Sequence, residues 1–220
     1  MWYPTHNPES IEYAAQHGYN FVGIGPATLV RQQVDAYRQT WNVHRYGAGR
    51  LNGHVAEPKV GVPRQVFVEE TDDDALAATR TAHGDWYRSI TKLWHDHDDS
   101  SVDGLSAWET AIQHETIIFG SPVRVRRQIA RLLEASGCNY LTCSFAWGSL
   151  TREQILRSFR FFAQEVMPAF SGDTPLGVTA RDGATRTNGV TGRPLGTNRR
   201  IRAEEEALWA LRTPWRQRRD

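Results

Sequence analysis

Within six positions, Thr5-His6-Asn7-Pro8-Glu9-Ser10 brings together the residue types that hold an oxyanion at the start of a helix. Asn7 is a good N-cap, Pro8 suits the first helical position, and the amides of Glu9 and Ser10 have no acceptor within the helix. Free amides and the positive end of a helix dipole attract phosphate, the dipole adding about 0.3–1 kcal/mol and up to about 2 kcal/mol when partly buried. His6, Asn7, Glu9 and Ser10 are therefore the candidate anion-binding residues. An ordinary capped helix accounts for the same string.

Other chemistry-bearing runs have simpler explanations. His95 and His97 in Trp94-His95-Asp96-His97-Asp98-Asp99 share a face only in an extended strand. A solvated polar loop explains that run, and no metal site is expected. Glu69-Glu70 with Asp72-Asp73-Asp74 could pair carboxylates for acid–base work, but acids favoured by the dipole at a helix start are the plainer account. Cys138 and Cys143, five residues apart beside an apolar stretch, fit no four-ligand zinc pattern and read as small buried hydrophobes.

The elements that must position these residues follow one grammar, four times over. Trp2–Thr5 reads as a strand followed by a helix from Pro8 to His17, and Phe21–Ile24 as a strand followed by a helix from Ala27 to Trp41. Gln65–Val68, inside 62–69, is a strand, and Thr71 caps a helix reaching about Leu93. Tyr140–Phe145 is the fourth strand, and Thr151 opens a helix to about Val166, with Gln154 at the capping-box spacing. A further helix spans Pro122 to Glu134 and ends at Gly137, while residues 94–115 fit neither period and form an excursion. Alternating strands and helices predict an α/β fold with a parallel sheet and right-handed crossovers. Four strand-helix units are too few for an eight-stranded barrel, which takes about 250 residues, but suffice for half of one. An open half leaves two unpaired edges and predicts an exposed apolar inner face.

Composition bounds the rest. The 220 residues carry 26 basic and 25 acidic side chains, 40% hydrophobic residues and a formal charge of +1, so no overall field favours nucleic acid or anionic lipid. No apolar run approaches the roughly 20 residues of a membrane helix, and Met1-Trp2-Tyr3-Pro4 does not read as a secretion signal. A cytoplasmic protein is expected. The balance changes at Ser171: ten arginines face six acids from there to Asp220, and residues 171–200 contain six threonines and no aromatic side chain. That stretch cannot bury enough apolar surface to offset chain entropy. The expected organisation is a domain over 1–170 and a disordered tail over 171–220, with a short helix at 201–213. The tail's arginines are scattered and lack interleaved aromatics, so nucleic acid is not an expected partner.

Several strings resemble one family. Asn7-Pro8-Glu9-Ser10 running into Ile11-Glu12-Tyr13-Ala14-Ala15, Val66-Phe67-Val68-Glu69-Glu70-Thr71-Asp72, Gly120-Ser121-Pro122-Val123 and Phe162-Ala163-Gln164-Glu165-Val166-Met167-Pro168 occur in the order found in luciferase-like flavin-dependent monooxygenases. The resemblance spans 1–170 and corresponds to the C-terminal half of that family's (β/α)8 TIM barrel. It implies an incomplete copy with little activity alone. It also implies reduced FMN as cofactor, O2 and a small organic substrate, with a flavin reductase as a partner; relatives use the deazaflavin F420 instead. The family's phosphate-holding turn falls on Asn7 and Ser10, with His6 in the turn itself. No histidine here matches the family's catalytic one, so no catalytic residue is assigned. Residues 95–115 correspond to a loop over the active site, a lid, and Trp147 either stacks near the flavin or substrate or simply packs. The alternative to a monooxygenase is a non-catalytic half-barrel that pairs with itself, a homo-oligomer, or with a separate N-terminal half.

Overall fold

The computed structural model describes residues 1–52, 54–103 and 107–170; the tail expected over 171–220, with its helix at 201–213, lies outside them. The elements run β1 (Trp2–Thr5), α1 (Pro8–Gln16), β2 (Asn20–Gly23), α2 (Ala27–Val43), β3 (Val60–Val68), α3 (Asp72–His95), α4 (Trp108–Gln113), β4 (Ile117–Gly120), α5 (Pro122–Ser136), β5 (Tyr140–Ser144) and α6 (Arg152–Phe161). Helix α6 continues through a π-turn at Phe162–Val166 into a 3-10 turn at Met167–Phe170. The capping box at Thr151 and Gln154 forms, and Thr71 caps α3 through the amide of Asp74. Strand β4 and helix α4 lie in and just beyond the region that showed no periodic pattern. Each is too short, at four and six residues, for periodicity to declare it.

All five strands pair in parallel. Gly61 of β3 aligns with both Val22 of β2 and Tyr140 of β5, and Gln65 with both Ile117 of β4 and Ser144 of β5. Strands β2 and β4 therefore follow one another along one edge of β3, while β5 takes the other. The main sheet order is β1-β2-β3-β5, with β4 added beside the upper end of β3. Where β2 gives way to β4, the guanidinium of Arg64 is buried, donating to the carbonyls of Pro63 at 2.8 Å and Gly25 at 3.2 Å. Burial pushes its pKa down to about 10.

Alternation along β3 divides the protein into two cores. Val60, Val62, Val66 and Val68 face the helical layer, where they pack with Phe21, Tyr37, Trp41, Ile129 and Leu132. Phe67 points to the opposite face and packs with Ile117 and Phe119 of β4, Ala75 and Ala82 of α3, and Trp147 and Leu150. Burying each such large apolar side chain is worth roughly 1.5–3 kcal/mol, which makes these layers the main source of cohesion. In the helical layer α1 packs on α2, α2 on α5, and α5 on the π-turn after α6.

The inner face differs from the apolar surface expected. Its upper part is covered by α3 and by the loop after β5. Its lower part carries Pro4, Thr142 and Ser144, all exposed, and the half-buried Pro63 and Gln65. The apolar groups left accessible there are the rings of Trp2 and Tyr140, 38% and 40% exposed with centroids 4.6 Å apart, the half-buried Val22, and Ile24 just after β2, 40% exposed. Both rings reach over Gly61, where a β-carbon would meet each at 3.5 Å.

Gly148 fixes how the loop after β5 sits on α3. It adopts φ +56°, and a β-carbon would lie 1.8 Å from the Ala82 carbonyl oxygen. Gly148→Ala should destabilise the domain by roughly 2–4 kcal/mol, combining left-handed strain with overpacking. A urea-unfolding midpoint equal to that of the parent protein would refute the contact.

Candidate functional site

Parallel strands send all their carboxyl ends to one rim, and the loops after β1, β2, β3 and β5 meet there. The turn after β1 is built by short-range bonds. Asn7 donates its amide to Thr5 Oγ1 at 3.1 Å, and its Oδ1 accepts from the amides of Glu9 at 2.9 Å and Ser10 at 3.5 Å. Pro8 takes the first helical position. His6, Asn7 and Glu9 are exposed and Ser10 is half-buried, so the four candidate residues form one solvent-facing turn at the start of α1. In this arrangement the Asn7 side chain takes the two amides an anion would use. A phosphate would need that side chain to turn away; the two amides, the Asn7 carboxamide and the Ser10 hydroxyl are donors of the kind it takes, and the charge of Glu9 opposes it.

The rim beyond β3 has a different character. Glu69 is 4% exposed; its Oε1 accepts from the Glu70 amide at 2.9 Å, and its Oε2 pairs with Arg157 of α6. One residue earlier, the Val68 amide donates to the buried Ser158 hydroxyl of α6 at 2.8 Å. These two contacts tie α6 to the end of β3, and the Glu69–Arg157 pair borders a cavity of about 460 Å³ lined also by Asp74, Thr81, Ser149 and Gln154. The ion pair raises the pKa of Arg157, chiefly through its hydrogen bond to Glu69. Sequence reading missed this pair because Arg157 lies 88 positions from Glu69 and no local pattern joins them.

The acids after Glu69 divide their work. Asp74 accepts from the Thr71 hydroxyl at 2.6 Å within its own helix cap. Asp72 reaches across to α5, where its Oδ1 accepts from the Ser121 amide at 2.7 Å. Ser121 makes no side-chain cap of its own, so a carboxylate from α3 caps α5. Trp147 is 7% exposed within the second core, so it packs there. His95 pairs with Asp103 at 2.6 Å, and among the described residues no group of three or more His, Cys, Asp or Glu could hold a metal ion. Desolvation raises the pKa of the half-buried Cys143 to about 11 and pushes that of the buried Cys138 up as well. The excursion is anchored to α3: Trp108 packs 5.4 Å from His83, and the Tyr87 hydroxyl donates to the Asp103 carbonyl at 3.2 Å.

Comparison with known proteins bears on the fold. No family model matches the chain. The protein y4wF of Sinorhizobium fredii, described only as uncharacterized, is 28% identical over 167 residues, which cover 76% of this chain and 47% of y4wF. Among solved structures, the monooxygenase RslO1 from Streptomyces bottropensis superposes with a TM-score of 0.60 at 20% identity, over 77% of this chain and 48% of RslO1. The oxygenating constituent of 3,6-diketocamphane monooxygenase from Pseudomonas putida, solved with FMN, gives 0.51 at 18% identity, over 76% of this chain and 47% of its own. The chain thus spans about half the length of these relatives. The shared architecture is an α/β fold, part of a (β/α)8 TIM barrel. No described helix is long and apolar enough to cross a membrane.

The Asp72 cap carries a pH signature. Its pKa is lowered from the ordinary 3.8, mainly by the bond from the Ser121 amide. A depressed carboxyl stabilises the fold above its unfolded pKa, and that contribution is lost as pH falls through the lower folded value. Asp72→Asn should therefore be less stable than the parent at neutral pH, and the two should converge in acid. A stability difference that persists unchanged to the acid limit of the titration would contradict the assignment.

Proposed function

We propose that residues 1–170 form the C-terminal half of a flavin-dependent monooxygenase barrel of the luciferase-like class, acting on a small organic substrate with O2. The turn after β1 supports this reading most directly. At the carboxyl end of a parallel strand, in a fold shared with an FMN complex, the Glu9 and Ser10 amides, the Asn7 side chain and the Ser10 hydroxyl stand together at the positive end of α1.

On this reading Asn7 rotates its Oδ1 away from the two amides and offers its Nδ2 hydrogens to the flavin phosphate. Ser10 donates its hydroxyl, and His6 adds a donor from the turn. Glu9 turns its carboxylate to solvent, because its charge opposes a dianion at that position. Reduced FMN, delivered by a separate reductase, supplies the electrons that let O2 yield one oxygen atom to the substrate and one to water. The described parts of the excursion, 95–103 and 107–115, serve as the lid that excludes water from the rim. A barrel enzyme draws its reacting groups from the ends of several strands, so this half alone has little turnover.

The test is titration of the purified chain with FMN, riboflavin and F420, followed by fluorescence, alongside the Asn7→Ala/Ser10→Ala double variant. FMN should bind on the order of tenfold more tightly than riboflavin, and the double variant should lose that preference. Equal binding of FMN and riboflavin, or a preference that survives the double variant, would overturn the phosphate grip. Tighter binding of F420 than FMN would overturn the choice of cofactor.

A further inference from the structure

We propose that two copies of this chain close on each other edge to edge, forming an eight-stranded parallel barrel with a two-fold axis along its centre. The inference rests on the half-barrel reading but not on flavin binding. Each layer of the domain has two free ends. The main sheet runs β1-β2-β3-β5, with an open edge on β1 and another on β5. The helical layer runs α1, α2, α5 and then α6 through its π-turn, with α1 and α6 as its outer members. A two-fold axis sets β1 of one copy beside β5 of its partner and repeats that joint on the opposite side. The strands are parallel within each copy, and each new joint is parallel too.

The helices that meet at this joint are complementary in charge and apolar character. Helix α1 presents Glu9, Glu12 and Tyr13 outward, with Tyr13 45% exposed. Helix α6 presents Arg152, Leu156, Phe159 and Arg160, spaced as one helical stripe, with Leu156 42% and Phe159 51% exposed. Glu12 of α1 opposes the arginines of α6, and Tyr13 meets Leu156 and Phe159. On the inner face, Trp2 and Tyr140 of each copy bring four rings to the same end of the closed barrel, covering their exposed surface. Pro4 faces the open edge of β1, because the Met1 carbonyl points to β2, accepting from the Asn20 amide at 2.9 Å, and backbone groups an odd number of residues apart along a strand face opposite edges. The new ladder therefore lacks one donor. An edge proline of this kind guards against indiscriminate strand pairing and leaves partner choice to the helices and rings.

Light scattering on the full chain after gel filtration, over a dilution series, tests the proposal. The expected species is a closed dimer of twice 25.0 kDa. Glu12→Arg should raise the dissociation constant by about tenfold or more, and adding Arg160→Glu in the same chain should restore it, with circular dichroism unchanged throughout. A monomer at every concentration would overturn the proposal and point to a separate partner half. Open-ended multimers, or a dimer indifferent to both substitutions, would overturn it as well. Flavin titration plays no part in this readout, so failure of the cofactor reading stays distinguishable from failure of the dimer.

Discussion

A parallel strand is satisfied only when both edges are paired and both faces are covered, and β3 meets that demand in an unequal way. Its lower half lies between β2 and β5 and is covered by helices on one face. Its upper half has β4 on one edge and α6 on the other, where Ser158 and Arg157 take the place of a strand. The excursion, α3 and the loop carrying Trp147 then cover the face opposite the helices. The second core thus follows from extending one strand beyond its neighbours.

The rim inherits this asymmetry. Beyond β1 the turn is short and exposed, and the bonds that Asn7 makes within it join residues at most four apart. Beyond β3 the rim is a network in which Glu69, Arg157, Asp72 and Ser121 join elements far apart in the chain. A surface of local turns can rearrange around a ligand at little cost, since each amide has only one bond to exchange. A rim of long-range contacts holds its neighbours in place. The proposed phosphate grip occupies the adaptable side, and the capped and ion-paired side supplies the fixed frame.

Much of the architecture was legible in the residues. The β-branched and aromatic run Gln65-Val66-Phe67-Val68, the cap at Thr71, the box at Thr151 and Gln154, and the Asn7-Pro8 helix start each encode structure over a few positions, and each forms as read. Strand β4 did not show itself, because four apolar residues carry no period. The buried faces of Glu69 and Ser158 were equally hidden, since their partners lie about 90 positions away.

The sequence by itself therefore determined most of the strands and helices, where those helices begin, and which turn carries the Asn7 cap on the Glu9 and Ser10 amides, because those properties depend on neighbours a few residues apart. Tertiary structure decided the rest. It placed β2 and β4 in succession on one edge of β3, turned Asp72 into the cap of another helix, assigned Trp147 to a core, and left Trp2 and Tyr140 exposed over Gly61. Each of those outcomes depends on which distant surfaces compete for the same space, and chain order alone does not encode that competition.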